Sequence, residues 1–158
     1  MDDLPSIRQR HQKQKLVMTS GTFDLLHAGH LSYLTTVKKY GDVVLVLLSG
    51  DARVKARKGN KRPVISETDR ANLLDGLKIV DYVLIDPSKL TPEETDPIHR
   101  EILERLQPDY YVTDGADPRF YHLMPPTQFI ITERSDVETS TSAIIERILN
   151  LYDKSRLL

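Results

Sequence analysis

Strands that alternate with helices predict an α/β fold: a Rossmann-like, doubly wound sheet of five parallel strands with helices on both faces. Three observations carry this. The run Val43–Leu48 is apolar throughout, as a strand covered on both faces must be. Between the apolar runs, Leu, Ile and Val recur at helical spacing. Right-handed crossovers between parallel strands then place helices on both sides of the sheet.

Each element has its own signal. Residues 1–14 are polar and without period, and are expected to form a flexible tail ahead of one domain spanning 15–158. Leu16-Val17-Met18 runs into Gly21 as the first strand. Leu31, Leu34 and Val37 mark a helix that stops at Gly41. After the Val43–Leu48 strand, a polar loop is expected from Ser49 to Pro63. Ser66-Glu67-Thr68-Asp69 reads as a capping box, with aspartate in the glutamate place, opening a helix with Leu73, Leu74 and Leu77. Tyr82–Ile85 is the third strand, and Pro97–Leu106 a helix with Ile98, Ile102, Leu103 and Leu106 on one stripe. Tyr110–Val112 and Phe129–Ile131 complete the sheet. The last helix carries Ile145, Ile148, Leu149 and Tyr152.

Composition narrows the chemistry. With no cysteine, thiolate nucleophiles, disulfides and cysteine-held zinc drop out together. A formal net charge of -1 gives no sign of a globally basic nucleic-acid binder. No apolar run reaches the roughly 20 residues of a membrane span. The N-terminal residues have no apolar core of a secretory signal, so a cytoplasmic protein is expected.

Ligands of such sheets bind outside the carboxyl ends of the strands, at a switch point. The first strand leads straight into GTFDLLHAGH. Gly21 would let backbone approach a ligand closely. His30 falls at a helix start, where free N–H groups and the dipole favour an anion, and His27 is near enough to converge on it. Gly29 between them adds no side chain. Paired imidazoles there suit a phosphoryl group, whose transition state spreads charge over its oxygens. Two helix-capping histidines, or a zinc site with Asp24 nearby, are the competing readings.

After the second strand, Arg53, Lys55, Arg57, Lys58, Lys61 and Arg62 crowd together with no acid between them. A triphosphate needs such counter-charge, and Arg70 follows one turn into the next helix. A solvated or RNA-touching loop is the plainer alternative. Asp114, after the fourth strand, is equally suited to a ribose hydroxyl, a base amino group, Mg²⁺ or simple turn chemistry. Thr139-Ser140-Thr141-Ser142 supply more hydroxyls than one N-cap needs, and with Arg134 just before them suggest a second anion site.

These residues resemble the cytidylyltransferase-like nucleotidyltransferase superfamily. The resemblance rests on GTFDLLHAGH, on RVKARKGNKRPVISETDRANLLDGLKIVDYVLI and on TSTSAIIERI, and runs from about residue 15 to 152. The heptose 1-phosphate adenylyltransferases and the glycerol 3-phosphate cytidylyltransferases are similar branches; archaeal FAD synthetases share the first motif. The resemblance implies transfer of a nucleoside monophosphate from an NTP, ATP or CTP, to a phosphorylated small molecule with release of pyrophosphate. It implies Mg²⁺ with the NTP and a homodimer. His27 and His30 would hold the α-phosphate, and Lys55 or Lys58 would bridge it to the acceptor phosphate. Gly21, Thr22, Phe23, Asp114, Arg134, Ser140, Thr141 and Ser142 would contact the nucleotide. Asp24 and Arg70 would lie on the acceptor side. Two departures leave base and acceptor open: the heptose branch usually has Cys at the place of Thr22, and Lys-Gly-Gly-Asp-Tyr where Thr113–Asp117 stands here. An FMN adenylyltransferase, a nucleotide-binding regulator without turnover and an RNA-binding module are the alternatives.

Overall fold

A computed structural model of the chain describes residues 3–88, 92–115, 122–123, 128–133 and 139–152. Five strands, β1 (Leu16–Gly21), β2 (Val43–Ser49), β3 (Tyr82–Asp86), β4 (Tyr110–Thr113) and β5 (Phe129–Ile131), form one parallel sheet ordered β3-β2-β1-β4-β5. The chain winds outward from β1 through β2 to β3, then returns to place β4 on the other side of β1. The switch point therefore lies between β1 and β4, at the carboxyl end of β1.

Alternation along the central strands builds two cores. Leu16 and Met18 of β1, with Val43, Leu45 and Leu47 of β2, face α1 (Leu4–Arg10) and α5 (Pro92–Leu106) through Leu4, Ile7, Ile102, Leu103 and Leu106. Val17, Val44, Val46 and Leu48 point the other way, onto Leu34 and Val37 of α2 (Ala28–Lys38) and Leu74 of α4 (Glu67–Asp75). Both faces of β2 are buried, as its unbroken apolar run requires. Ser66 caps α4 by accepting from the Asp69 N–H, and the Asp69 carboxylate accepts from the Ser66 hydroxyl.

Two local expectations fail for identifiable reasons, and one helix starts earlier than expected. Residues 4–10 are a helix rather than a tail. Leu4 and Ile7, one turn apart, bury against α5, and Arg8 pairs with Asp109 at 3.0 Å. The expected loop from Ser49 contains α3 (Asp51–Lys58), closed by Gly59 at φ +87. Its Ala, Arg and Lys residues are strong helix formers, and the one buried side chain in it, Val54, anchors it to the core. Helix α5 begins at Pro92, before Pro97. The final helix, α6 (Thr141–Tyr152), forms as expected, but its stripe is left open: Leu149 is 65% and Tyr152 76% exposed.

Candidate active site

The loop from β1 into α2 carries the histidine motif to the carboxyl end of the sheet. It turns through two left-handed residues, Phe23 and Leu25, both at φ +48. That conformation is costly for bulky side chains and persists only where packing holds it. Here the buried Phe23 ring lies over Gly21, whose Cβ, if present, would stand 2.6 Å from the ring. Gly21 thus makes room for the Phe23 ring. Phe23 in turn packs on His30, ring centroids 5.2 Å apart.

His27 is the N-cap residue of α2 and His30 lies in its first turn. Their rings stack, centroids 3.8 Å apart and planes 23° from parallel. Gly29 permits this: a Cβ there would meet the Thr139 carbonyl at 2.7 Å and the His27 ring at 3.0 Å. The glycine therefore seats His27 and lets the segment entering α6 pass over the motif. Burial, then the charges of His27 and Lys58, push His30 down to about 4, against a smaller opposing effect of Asp24. Desolvation lowers His27 as well. Both rings are neutral near pH 7. Each has a buried Nδ1 with no hydrogen-bond partner among the described residues. A neutral imidazole carries its proton on one ring nitrogen, and in the Nε2 tautomer each ring is a hydrogen-bond donor at its other edge.

The basic segment divides by residue type. Its arginines are engaged with the protein. Arg57 donates to the Thr22 hydroxyl at 3.1 Å, Arg62 Nε to Asp24 at 2.8 Å, and Arg53 to the Ser88 hydroxyl at 2.7 Å. Lys55 and Lys58 share one side of α3 at i, i+3. Lys58 is close enough to His30 to depress it, and desolvation together with Arg57 and Arg62 holds its own ammonium below the usual lysine range, with Asp24 opposing.

Two expected acceptor ligands turn out to be internal. Asp24, 1% exposed, accepts from Arg62 and from the backbone N–H groups of Val64 and Ile65. Those bonds hold its carboxyl below the usual range although burial pushes the other way. Arg70, 0% exposed, donates to the carbonyls of Ile65, Thr22 and Ser49 and to Asp51 at 2.7 Å. A carboxylate and a guanidinium so enclosed do not face a substrate. They lock the loops after β1 and β2 and the start of α4 to one another. Sequence spacing gave no hint of either role, because every partner except Ile65 is far away along the chain.

The N-terminus of α6 closes the site. Thr141 Oγ1 donates to the Asp24 carbonyl at 2.8 Å, and Ser140 Oγ accepts from the Ala143 N–H at 3.2 Å. Ser140 therefore does cap the helix, Thr141 docks it on the histidine loop, and Ser142 is exposed. Asp114 is exposed at the carboxyl end of β4, near enough to Tyr33 to act on its hydroxyl. Arg134 lies outside the described residues. The structure thus brings His27, His30, Lys58 and the start of α6 together around the switch point.

The chain is similar to known proteins in sequence and in fold. The family model described as cytidylyltransferase-like matches residues 18–147. The bifunctional protein HldE of Helicobacter pylori (strain Shi470) is 45% identical over 140 residues, and that of Campylobacter curvus (strain 525.92) 38% over 151. These cover 87% and 93% of this chain but 28% and 30% of the relatives, so the chain spans under a third of their length. A lipopolysaccharide core biosynthesis protein from Thermoplasma volcanium GSS1 superposes with TM-score 0.58 at 27% identity, over 78% of this chain and 99% of that one. A pantoate-beta-alanine ligase from Francisella tularensis shares the fold, with TM-score 0.58 at 17% identity over 96% of this chain and 76% of that one. A match that takes in the histidine motif, the α3 lysines and the start of α6 in one continuous stretch leaves one assignment: the chain belongs to the cytidylyltransferase-like family.

Proposed function

We propose that the chain transfers a nucleoside monophosphate from an NTP to a phosphorylated small molecule, releasing pyrophosphate. The observation that carries this is the stacked, neutral histidine pair, with both inner nitrogens unpartnered, set at a helix start beside Lys58. An oxygen of the acceptor phosphate, already ionised at pH 7, attacks the α-phosphorus. The new P–O bond forms as the bond to the β-bridging oxygen breaks, and pyrophosphate leaves with that electron pair. No general base is needed. The Nε2–H groups of His27 and His30 donate to the non-bridging oxygens as charge builds there, and Lys58, with Lys55 on the same side of α3, neutralises the approach of two anions. The first backbone N–H groups of α6 have no partners within the helix and suit the β- and γ-phosphates, with Ser142 beside them. Thr22 and Phe23 border the nucleotide, and Asp114 stands where a ribose or base would lie.

Mg²⁺ enters with the triphosphate. The triphosphate oxygens would supply ligands to it, as is usual for Mg²⁺ in such sites. Similarity to the heptose 1-phosphate branch, and a similar structure named for lipopolysaccharide core biosynthesis, favour ATP and a sugar phosphate. The uncovered stripe of α6 suits a homodimer contact. A pyrophosphate-release screen crossing four NTPs with sugar, polyol and flavin phosphates tests the reading. Release with one NTP and one acceptor class is expected. Binding of NTP without release on any acceptor would refute transfer in favour of a regulator.

A further inference from the structure

A second polar cluster, at the far edge of the sheet, has no part in the chemistry above. Asp86 ends the edge strand β3, and its carboxylate accepts from His99 Nε2 of α5 at 3.0 Å and from the Ser88 N–H at 2.9 Å. Arg53 of α3 lies 3.9 Å from Asp86 and donates to the hydroxyls of Ser88 and Thr95, at 2.7 and 3.2 Å. Asp86, His99, Ser88 and Thr95 are all buried, and the Arg53 side chain nearly so. Buried charges are an expensive way to stabilise a fold, since well-packed apolar groups commonly do as well. What a charge-assisted network supplies is direction and a single geometry.

That geometry belongs to α3. Arg53 and Arg57 lie one turn apart on the same side of the helix. Arg53 is fastened to the end of β3 and Arg57 to Thr22, with Val54 buried between them. Lys58 follows directly. We propose that the Asp86–His99 pair is the anchor that fixes α3 through Arg53 and thereby places Lys58 over the histidines, so that Asp86 and His99 are positioning residues. The proposal rests on the nucleotidyl-transfer reading for its consequence in turnover, but the placement of Lys58 can be measured without turnover.

The test compares Asp86→Asn, Ser88→Ala, His99→Leu and His99→Gln in the full chain. Two readouts are followed: the rate of reductive methylation of Lys58 relative to the exposed Lys13, by mass spectrometry, and kcat at saturating substrates. A displaced α3 takes Lys58 out of the burial that lowers it and away from Arg62, so its ammonium regains a more ordinary basicity. Its relative labelling rate is expected to change by at least about threefold in Asp86→Asn and His99→Leu, well within one pKa unit. Turnover should fall about 10- to 100-fold, the scale of a misplaced group. His99→Gln keeps an N–H for Asp86 and should restore both readouts. Ser88→Ala removes the nearer hydroxyl without stranding a charge, and should give a smaller change of the same sign if Asp86→Asn does not fold. Unchanged Lys58 labelling in folded variants overturns the proposal even if turnover falls. Altered labelling in a protein that shows no transfer with any acceptor leaves the anchor standing and removes the transferase reading.

Discussion

Replacing Arg70 by methionine separates a structural arginine from a substrate-binding one. The guanidinium is wholly enclosed and satisfies three carbonyls, of Ile65, Thr22 and Ser49, besides pairing with Asp51. Methionine fills much of the volume but donates to none of them. Each buried acceptor left unsatisfied costs about 1–3 kcal/mol, so the three carbonyls together cost about 3–9 kcal/mol. Asp51 is partly exposed, and water entering from its side offsets some of this. A net loss of about 4 kcal/mol is expected, which at about 2 kcal/mol/M lowers the urea midpoint by about 2 M with little change in slope. The assay is equilibrium urea unfolding followed by circular dichroism. A variant that unfolds within about 1 kcal/mol of the parent, and shows instead a raised KM for the acceptor, would refute the structural role and return Arg70 to the substrate.

The pH dependence of stability should carry the mark of Asp24. Its folded pKa lies below the unfolded value, so its contribution is fully present above about pH 4 and is lost as pH falls through the folded pKa. In Asp24→Asn, acid unfolding curves should lack that component; an unchanged acid limb would contradict the placement. His30 should titrate near 4 by NMR, and kcat should not change from pH 6 to 8 on its account; a titration near 6.5 would show the ring open to water and charged. Gly29→Ala adds a better helix former yet should lower turnover at least tenfold, because the new methyl meets the Thr139 carbonyl and the His27 ring. Retained activity would show that α6 and His27 can shift without consequence. Ser140→Ala should cost about 1 kcal/mol through loss of the α6 cap, read as a lower thermal midpoint; no loss would mean the cap is not formed in solution.

How much of this was legible in the chain depends on the reach of each signal. The strands were readable because burial on both faces leaves unbroken apolar runs, as in Val43–Leu48. The histidine motif was readable because four neighbouring residues and a helix start define it locally. Helix α3 was not: charge dominates its composition, and a segment with one large apolar side chain has no period to detect. Helix α1 hid for a similar reason, with only Leu4 and Ile7 to announce it. Asp24, Arg53, Arg57, Arg62 and Arg70 carry charge suited to a triphosphate, yet mainly bind distant parts of the chain. Sequence shows the charge, while only the fold shows what the charge meets. That the arginines serve the scaffold follows from chemistry: a guanidinium fork can satisfy several fixed acceptors, whereas an ammonium is a mobile point charge, suited to the ligand role proposed for the lysines.

The central claim is that the two stacked imidazoles hold the phosphoryl group during transfer. Single-turnover pyrophosphate release in His27→Ala and His30→Ala, with urea unfolding as control, measures it most directly. Each variant should remain folded, still bind the NTP, and turn over at least about a hundredfold more slowly. Parental rates in both variants would contradict it.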